Sequence, residues 1–170
     1  MHEVDASQTI FLEEYIALDQ WRGEHRIVPG GAYAFFYSAD DSLIARTRKA
    51  LAAVSGLAVI DPQNFDALLN FPQRGSRIPN LVAVADAPKY IGFKRGQGRK
   101  PPRGAHGYLP QNTPTMKGIF YASGPRIPAQ TRLAAIENVH IYPLVLDLLN
   151  IENQSAIDGD PSVLVPYLRD

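Results

Sequence analysis

His106 is the residue whose local sequence most favours a chemical role. It lies in the segment Gly-Ala-His-Gly-Tyr, which spans residues 104–108 and follows a loop rich in basic residues. Glycine has no Cβ, so Gly104 and Gly107 let the backbone come close to whatever the imidazole contacts. Imidazole is the commonest metal ligand in proteins and carries protons near neutral pH. The segment therefore predicts a metal-ligating or proton-carrying histidine, with an ordinary loop histidine as the alternative.

Two further segments follow this histidine segment. They are Met-Lys-Gly-Ile-Phe-Tyr-Ala-Ser-Gly-Pro at residues 116–125 and Asn-Val-His-Ile-Tyr-Pro at residues 138–143. Together the three resemble the C-terminal part of the type I phosphodiesterase/nucleotide pyrophosphatase family, within the alkaline phosphatase superfamily. Members carry Gly-x-His-Gly, Met-x-x-Ile-Phe-x-Ala-x-Gly-Pro and Asn-Val-x-x-Tyr-Pro in this order and at similar spacing. The resemblance is specific across residues 104–151 and looser in the first half of the chain.

The resemblance implies hydrolysis of phosphodiester or pyrophosphate bonds with the help of two zinc ions. In the family a threonine or serine attacks phosphorus, and aspartates and histidines hold the ions. The nucleophile and most ligands lie upstream of Gly-x-His-Gly, so the resemblance implies no catalytic residue in this chain and one metal ligand, His106. A catalytic zinc needs about three protein ligands. The chain alone is therefore expected to be inactive and to bind no zinc stably.

Other functions remain open beside this interpretation. The chain could be a non-catalytic α+β interaction module. It could also be a half-enzyme that assembles with a separate chain supplying the missing N-terminal half, which carries the nucleophile. A phosphomonoesterase of the same superfamily is the third alternative, because the contacts that select a nucleotide or a simple phosphate ester as substrate are expected mostly in the upstream half.

Composition narrows the function classes. Among 170 residues, 17 basic and 17 acidic side chains cancel, so no global field favours a nucleic acid polymer as partner. The absence of cysteine excludes disulfides, thiolate metal sites and cysteine nucleophiles. No apolar run approaches the roughly 18 residues that a membrane span requires, and the polar start of the chain contains no targeting signal. A periplasmic or secreted location is implied by the family resemblance alone.

The elements that must position His106 alternate between strands and helices. Strands are predicted at residues 32–37, 58–60, 81–85 and 119–122, and residues 9–15 are predicted as a short strand or a strand that leads into a turn. Helices are predicted at 42–54, 64–70 and 139–149, and a last turn or helix at 162–168. The first ninety residues thus follow the order strand, strand, helix, strand, short helix, strand, which is typical of an α+β layer on one sheet. The predicted fold class is α/β, or α+β when the chain is taken alone.

The family resemblance divides these elements into two domains. Residues 1–91 correspond to an α+β subdomain inserted after the family's Asp-His-Gly-Met metal-binding segment. Residues 92–170 would supply the basic loop, the metal-ligand segment, and a strand and helix of the alkaline-phosphatase-like core. The strand at 119–122 would then have a bare edge, and a bare edge can pair with another chain. Self-association through that edge is therefore expected to be possible.

Several other clusters have both a functional and a structural interpretation. Six cations precede the histidine segment and could attract an anionic substrate, although a solvated loop is favoured: Lys89, Lys94, Arg95, Arg99, Lys100 and Arg103. Four aromatic residues could stack on a base, but alternation along a strand favours packing: Tyr33, Phe35, Phe36 and Tyr37.

The remaining titratable residues receive no chemical role. His140 is expected at the surface or at a helix cap. Four others have no candidate partner at a fixed spacing in the sequence: His2, His25, Asp86 and Asp147.

Overall fold

The computed structural model of the chain describes residues 1–71, 75, 77–94, 101–129, 131–152 and 155–169. These residues fall into two units, a first unit of Met1–Gly118 and a second unit of Ile119–Asp170. The strands, in chain order, are β1 (His2–Glu3), β2 (Thr9–Phe11), β3 (Arg26–Pro29), β4 (Tyr33–Tyr37), β5 (Leu57–Ile60), β6 (Leu81–Ala85), β7 (Tyr90–Gly92) and β8 (Gly104–Ala105). The α-helices are α1 (Asp41–Ala52), α2 (Phe65–Leu69) and α3 (Ile141–Leu148).

Short 3-10 turns connect these elements. Those in the described residues are Ala6–Gln8, Leu12–Glu14, Leu18–Gln20, Pro62–Asn64, Pro114–Met116, Asn138–His140, Pro161–Val163 and Val165–Tyr167. The predicted strand at residues 9–15 is accordingly a three-residue strand that passes into a 3-10 turn. No helix in the described part of the chain has the length and apolar character to cross a bilayer.

A four-stranded antiparallel sheet forms the centre of the first unit. Its strand order is β3-β4-β6-β5. Two separate two-stranded ladders complete the strand pairing of this unit. In one, β2 is parallel to β7, and in the other, β1 is antiparallel to β8. The predicted order of strands and helices is confirmed between β4 and β6. The strands β1, β3, β7 and β8 were not predicted, since they are short and lack a clear apolar alternation.

Alternation along β4 places its side chains on two differently covered faces. Phe36 is fully buried on the face that α1 covers, together with Leu43 and Leu51 of that helix. Phe35 points the other way and packs against the cluster that contains Phe65 of α2. A strand whose successive side chains alternate between faces can join two apolar clusters. The sheet is therefore covered on both sides.

The start of α1 is fixed by a capping residue. The carboxylate of Asp40 accepts hydrogen bonds from the backbone N–H groups of Ser42 and Leu43, at 2.8 and 3.0 Å. Those bonds, the one from Leu43 foremost, hold the pKa of Asp40 below its usual value. Such a cap satisfies amides that the first turn leaves without partners. The helix predicted from residue 42 is confirmed and begins one residue earlier.

The second unit contains one helix and extended segments. The predicted helix at 139–149 is confirmed as α3, preceded by the 3-10 turn Asn138–His140, with Pro143 in its first turn. The guanidinium of Arg126 forms an ion pair with Asp147 at 3.0 Å and donates a hydrogen bond to that residue's carbonyl oxygen. These contacts tie the preceding extended chain to the helix.

Residues 119–122, predicted as a strand, form no strand pairing with any described residue. Ile119 is 98% exposed and Tyr121 is 85% exposed. A strand is stabilised by hydrogen bonds to a neighbouring strand. The apolar sequence favours extended backbone here, but no described segment supplies the edge that would complete a ladder.

Candidate functional site

The His106 loop is held at its start by the ladder between β1 and β8. Residue His2 pairs with Ala105, and Glu3 pairs with Gly104. One further backbone hydrogen bond extends the ladder, from the N–H of Val4 to the carbonyl of Arg103 at 3.0 Å. Ala105 is buried, whereas His106 is exposed directly after it. The imidazole is therefore attached to a backbone that is anchored immediately before it.

Tyr108 anchors the loop on the other side of the histidine. Its side chain is buried, and its hydroxyl donates a hydrogen bond of 2.9 Å to the carbonyl oxygen of Lys89. Its ring meets that of His2 edge-on, with centroids 6.0 Å apart. Burial, and to a lesser extent the neighbouring Tyr90, raises the pKa of Tyr108 above its ordinary value. Tyr108 is thus a neutral, hydrogen-bonded anchor two residues after His106.

Gly107 is required by the packing of the loop. Its φ is +91°, a conformation that side chains with a Cβ rarely adopt. A Cβ at this position would lie 2.6 Å from Cδ1 of Tyr33, closer than two carbon atoms can approach. The sequence analysis related this glycine to a close approach between the backbone and the group that the imidazole contacts. In the structure the group that approaches Gly107 is the ring of Tyr33 on β4, a packing contact within the unit.

His106 has no accompanying set of metal ligands among the described residues. No group of three or more histidine, aspartate and glutamate side chains comes together there in a way that could hold a metal ion. One imidazole does not make a zinc site. The described residues therefore do not by themselves fit a zinc ion, and the role of His106 as a ligand stays a prediction.

Three of the six cations that precede the histidine segment lie in the described residues, and two of these three have protein partners. The ammonium of Lys89 donates to the carbonyl oxygen of Ser55 at 2.6 Å. That of Lys94 forms an ion pair with Glu14 at 2.9 Å. Arg103 is exposed, while Arg95, Arg99 and Lys100 lie outside the described residues. Lys89 and Lys94 therefore serve structural contacts, which agrees with the favoured interpretation of a loop.

The aromatic residues of β4 pack, as the alternation predicted. Phe36 is buried edge-on against Trp21, with ring centroids 5.2 Å apart. The rings of Tyr33 and Phe35 lie 4.7 Å apart, and Phe35 also meets Phe71 edge-on. The rings of Tyr33, Phe35 and Phe36 are thus engaged with other rings, which agrees with packing as their favoured role.

The other histidines hold structural hydrogen bonds. Nδ1 of His25 lies 2.8 Å from Oγ of the buried Ser38. Nδ1 of His140 accepts a hydrogen bond from the backbone N–H of Asp160 at 3.0 Å. The prediction of a capping or surface role for His140 is confirmed. Asp147, which received no chemical role, is paired with Arg126.

An open cleft in the first unit brings together polar residues that sequence reasoning did not combine. Its volume is about 350 Å³, and it is lined by His2, Asp86, Ala87, Asn112, Thr113, Pro114 and Thr115. His106 does not line it. No sequence motif predicts the cleft, because the residues that line it come from three distant parts of the sequence.

Comparisons with known proteins agree in sequence and in fold. No family model matches the chain. Over 66 residues it is 41% identical to mouse ectonucleotide pyrophosphatase/phosphodiesterase family member 7, a match that spans 39% of this chain and 15% of the relative. The corresponding rat protein is 42% identical over 66 residues, again covering 39% of this chain and 15% of the relative.

Solved structures extend the likeness to the whole chain. Human ectonucleotide pyrophosphatase/phosphodiesterase 5 matches with a TM-score of 0.81 and 22% identity, over 99% of this chain and 42% of that one. The murine counterpart, in an inactive form in complex with AMP, matches with a TM-score of 0.80 and 21% identity over 98% of this chain and 42% of that chain. The chain thus spans less than half the length of these proteins. The predicted fold class, a portion of an α/β alkaline-phosphatase-like fold, is confirmed.

Proposed function

We propose that the chain belongs to the nucleotide pyrophosphatase/phosphodiesterase family and is part of a zinc-dependent hydrolase of phosphodiester or pyrophosphate bonds, because 66 of its residues are 41% identical to a curated member and its fold matches that of another. In this proposal His106 is one ligand of a metal ion. The nucleophile and the other ligands come from residues that are not in this chain. A nucleotide or another phosphate ester is the proposed substrate, since a similar murine protein was solved in complex with AMP.

The placement of His106 is the observation that supports this proposal. An exposed imidazole stands between a buried residue of the β1–β8 ladder and the buried, hydrogen-bonded Tyr108. Sites that bind metals work best when the ligating side chain sits on backbone held by packing and hydrogen bonds. A solvated loop histidine needs neither anchor. The two anchors favour a side chain that must meet a partner in a fixed position.

The proposal also covers the state of the isolated chain. With a single candidate ligand, the chain alone retains no zinc and hydrolyses no phosphodiester. A location outside the cytoplasm, periplasmic or secreted, accompanies the proposal because the similar curated proteins are named ectonucleotide enzymes. Neither statement depends on a particular substrate.

The first test is the zinc content of the purified 170-residue chain together with its hydrolysis of a chromogenic phosphodiester. We expect no bound zinc and no turnover. Two zinc ions per chain with turnover would mean that a complete site is built from residues assigned here to packing.

The ligand assignment needs a polypeptide that also supplies the proposed upstream half. In it, His106→Ala should lower activity by about 100-fold or more and reduce zinc content. The matched control is His140→Ala, which removes an imidazole bonded to a backbone amide and should leave zinc content unchanged. Equal zinc content and activity in the His106 variant and the parent would remove the assignment.

A further inference from the structure

The open cleft of the first unit presents hydrogen-bonding side chains that the fold does not use. Among the described residues, neither the carboxylate of Asp86 nor the carboxamide of Asn112 has a hydrogen-bond partner. Their backbones are fixed, with the N–H of Asp86 bonded to the carbonyl of Gly56 at 2.8 Å and that of Asn112 bonded to Leu109 at 3.1 Å. The two side chains therefore stand on rigid supports with their polar atoms available.

His2 and Thr115 complete the polar wall of the cleft. Nδ1 of His2 lies 2.9 Å from Oγ1 of Thr115. The two ring nitrogens of an imidazole take separate roles, so engagement of Nδ1 leaves Nε2 for another partner. Packing of the His2 ring against Tyr108 further restricts its orientation. The imidazole thus adds one oriented group to the free carboxylate and carboxamide.

The lining determines which chemistry the cleft suits. Among the described residues no lysine or arginine side chain lines it, and the charged side chain that does is the carboxylate of Asp86, which repels phosphate. The ammonium of Met1 is engaged by the carbonyl oxygen of Thr115 at 3.1 Å. A carboxylate offers two acceptor oxygens, and a carboxamide offers both donors and an acceptor. Adjacent hydroxyl groups match this set, because each can donate to Asp86 and accept from Asn112. Ala87 and Pro114 provide apolar surface for the C–H face of a ring.

We propose that this cleft binds the vicinal hydroxyl groups of a sugar. Its volume of about 350 Å³ is at the small end of ligand sites, which range over roughly 300–1,000 Å³, so it suits a single sugar ring. His2 also pairs with Ala105, directly before His106, so one wall of the cleft is fixed by the same ladder that anchors the His106 loop. The proposed sugar site does not depend on the proposed hydrolase activity.

A titration of the isotope-labelled full chain by nuclear magnetic resonance tests the proposal, with methyl β-D-ribofuranoside and inorganic phosphate as separate probes. The sugar should shift the amide signals of Asp86, Asn112 and Thr115 in a saturable way, and phosphate should not. Asp86→Asn and Asn112→Ala should each raise the Kd for the sugar by about tenfold, since a hydrogen bond to a charged or well-placed polar group is lost.

Two matched substitutions serve as controls. Asp66→Asn removes an exposed carboxylate on α2, and Gln111→Ala truncates an exposed amide next to Asn112; neither residue lines the cleft. Both should leave the Kd unchanged. Because Asp86 and Asn112 have no side-chain partner in the described structure, their variants are expected to fold.

Three results would overturn the proposal. They are the absence of saturable shifts with the sugar, shifts confined to residues outside the cleft, and shifts at the cleft with phosphate in place of the sugar. The titration requires neither zinc nor turnover. A failed sugar site therefore leaves the proposed hydrolase intact, and a failed His106 assignment leaves the sugar site intact.

Discussion

The two units of the chain differ in how completely they cover their own apolar side chains. In the first unit the central sheet has an apolar cluster on each face, and large side chains such as Phe36, Phe65 and Leu51 are fully buried. In the second unit α3 buries Pro143 and Leu144. Tyr142, Val145 and Leu149 follow one another along the helix at spacings of three and four residues and are exposed.

The difference indicates which unit can be stable by its own contacts. Burial of apolar area is the main favourable term in folding, and the first unit contains its own partners for that burial. An exposed apolar stripe on a helix, by contrast, gains burial only when a partner covers it. Within the proposed function, that partner is the half that supplies the nucleophile.

The largest expected effect is a loss of stability when the apolar core of the first unit is truncated. Phe36→Ala should lower the free energy of unfolding of the first unit by about 3–5 kcal/mol, because it opens a cavity in a fully packed cluster. Val145→Ala, the control in the second unit, should change stability by no more than about 0.5 kcal/mol, as for an exposed side chain. Urea unfolding followed by circular dichroism measures both variants, and Trp21 fluorescence follows the first unit. Comparable losses in the two variants would contradict the difference between a covered core and an exposed stripe.

A smaller effect is expected from the polar anchor of the first unit. Tyr108→Phe should cost about 1 kcal/mol, because the carbonyl oxygen of Lys89 loses its hydrogen bond. The raised pKa adds a pH dependence. Above the ordinary Tyr pKa of 10.0, the unfolded chain loses this proton before the folded chain does, so stability falls as the pH rises. Unfolding curves should show that the wild-type chain loses more stability than the Phe variant between neutral and alkaline pH. Parallel losses would contradict the role of the buried hydroxyl.

The smallest change in stability is expected for a substitution in the exposed apolar stripe of α3, which should instead change the self-association of the chain. Leu149→Lys places a charge in the exposed stripe and should leave the unfolding curve of the first unit unchanged. It should reduce concentration-dependent self-association of the chain, measured by light scattering after size-exclusion chromatography. Ala45→Lys, at an exposed position of α1 in the first unit, adds the same single charge and serves as the control. If the wild-type chain stays monomeric at high concentration, the exposed stripe does not drive self-association.

Local signals predicted the elements that depend on local interactions. The helix predicted at residues 42–54 is α1, and the alternating aromatic residues of β4 indicated a strand with two faces. Residues 81–85 were predicted from an unbroken apolar run, and the structure buries all five of them. In each case the short-range pattern and the long-range packing favour the same conformation.

Elements that depend on distant partners were missed or predicted wrongly. The strands β1 and β8 contain two residues each and exist because residues about a hundred positions apart pair. The segment at 119–122 has the composition of a strand but no described partner. Residues of the candidate site that are far apart in the sequence were missed for the same reason. His106 could be identified from its flanking glycines, whereas the cleft requires residues 2, 86 and 112–115 to meet, and no sequence pattern encodes that meeting.

The contact between Gly107 and Tyr33 has a consequence for how this chain can vary over evolution. Any side chain at 107 collides with the Tyr33 ring unless that ring becomes smaller or moves. A smaller residue at 33 would remove this collision but not the strain that a φ of +91° imposes on any residue with a Cβ. Related sequences are therefore expected to lose the ring at 33 more readily than the glycine at 107.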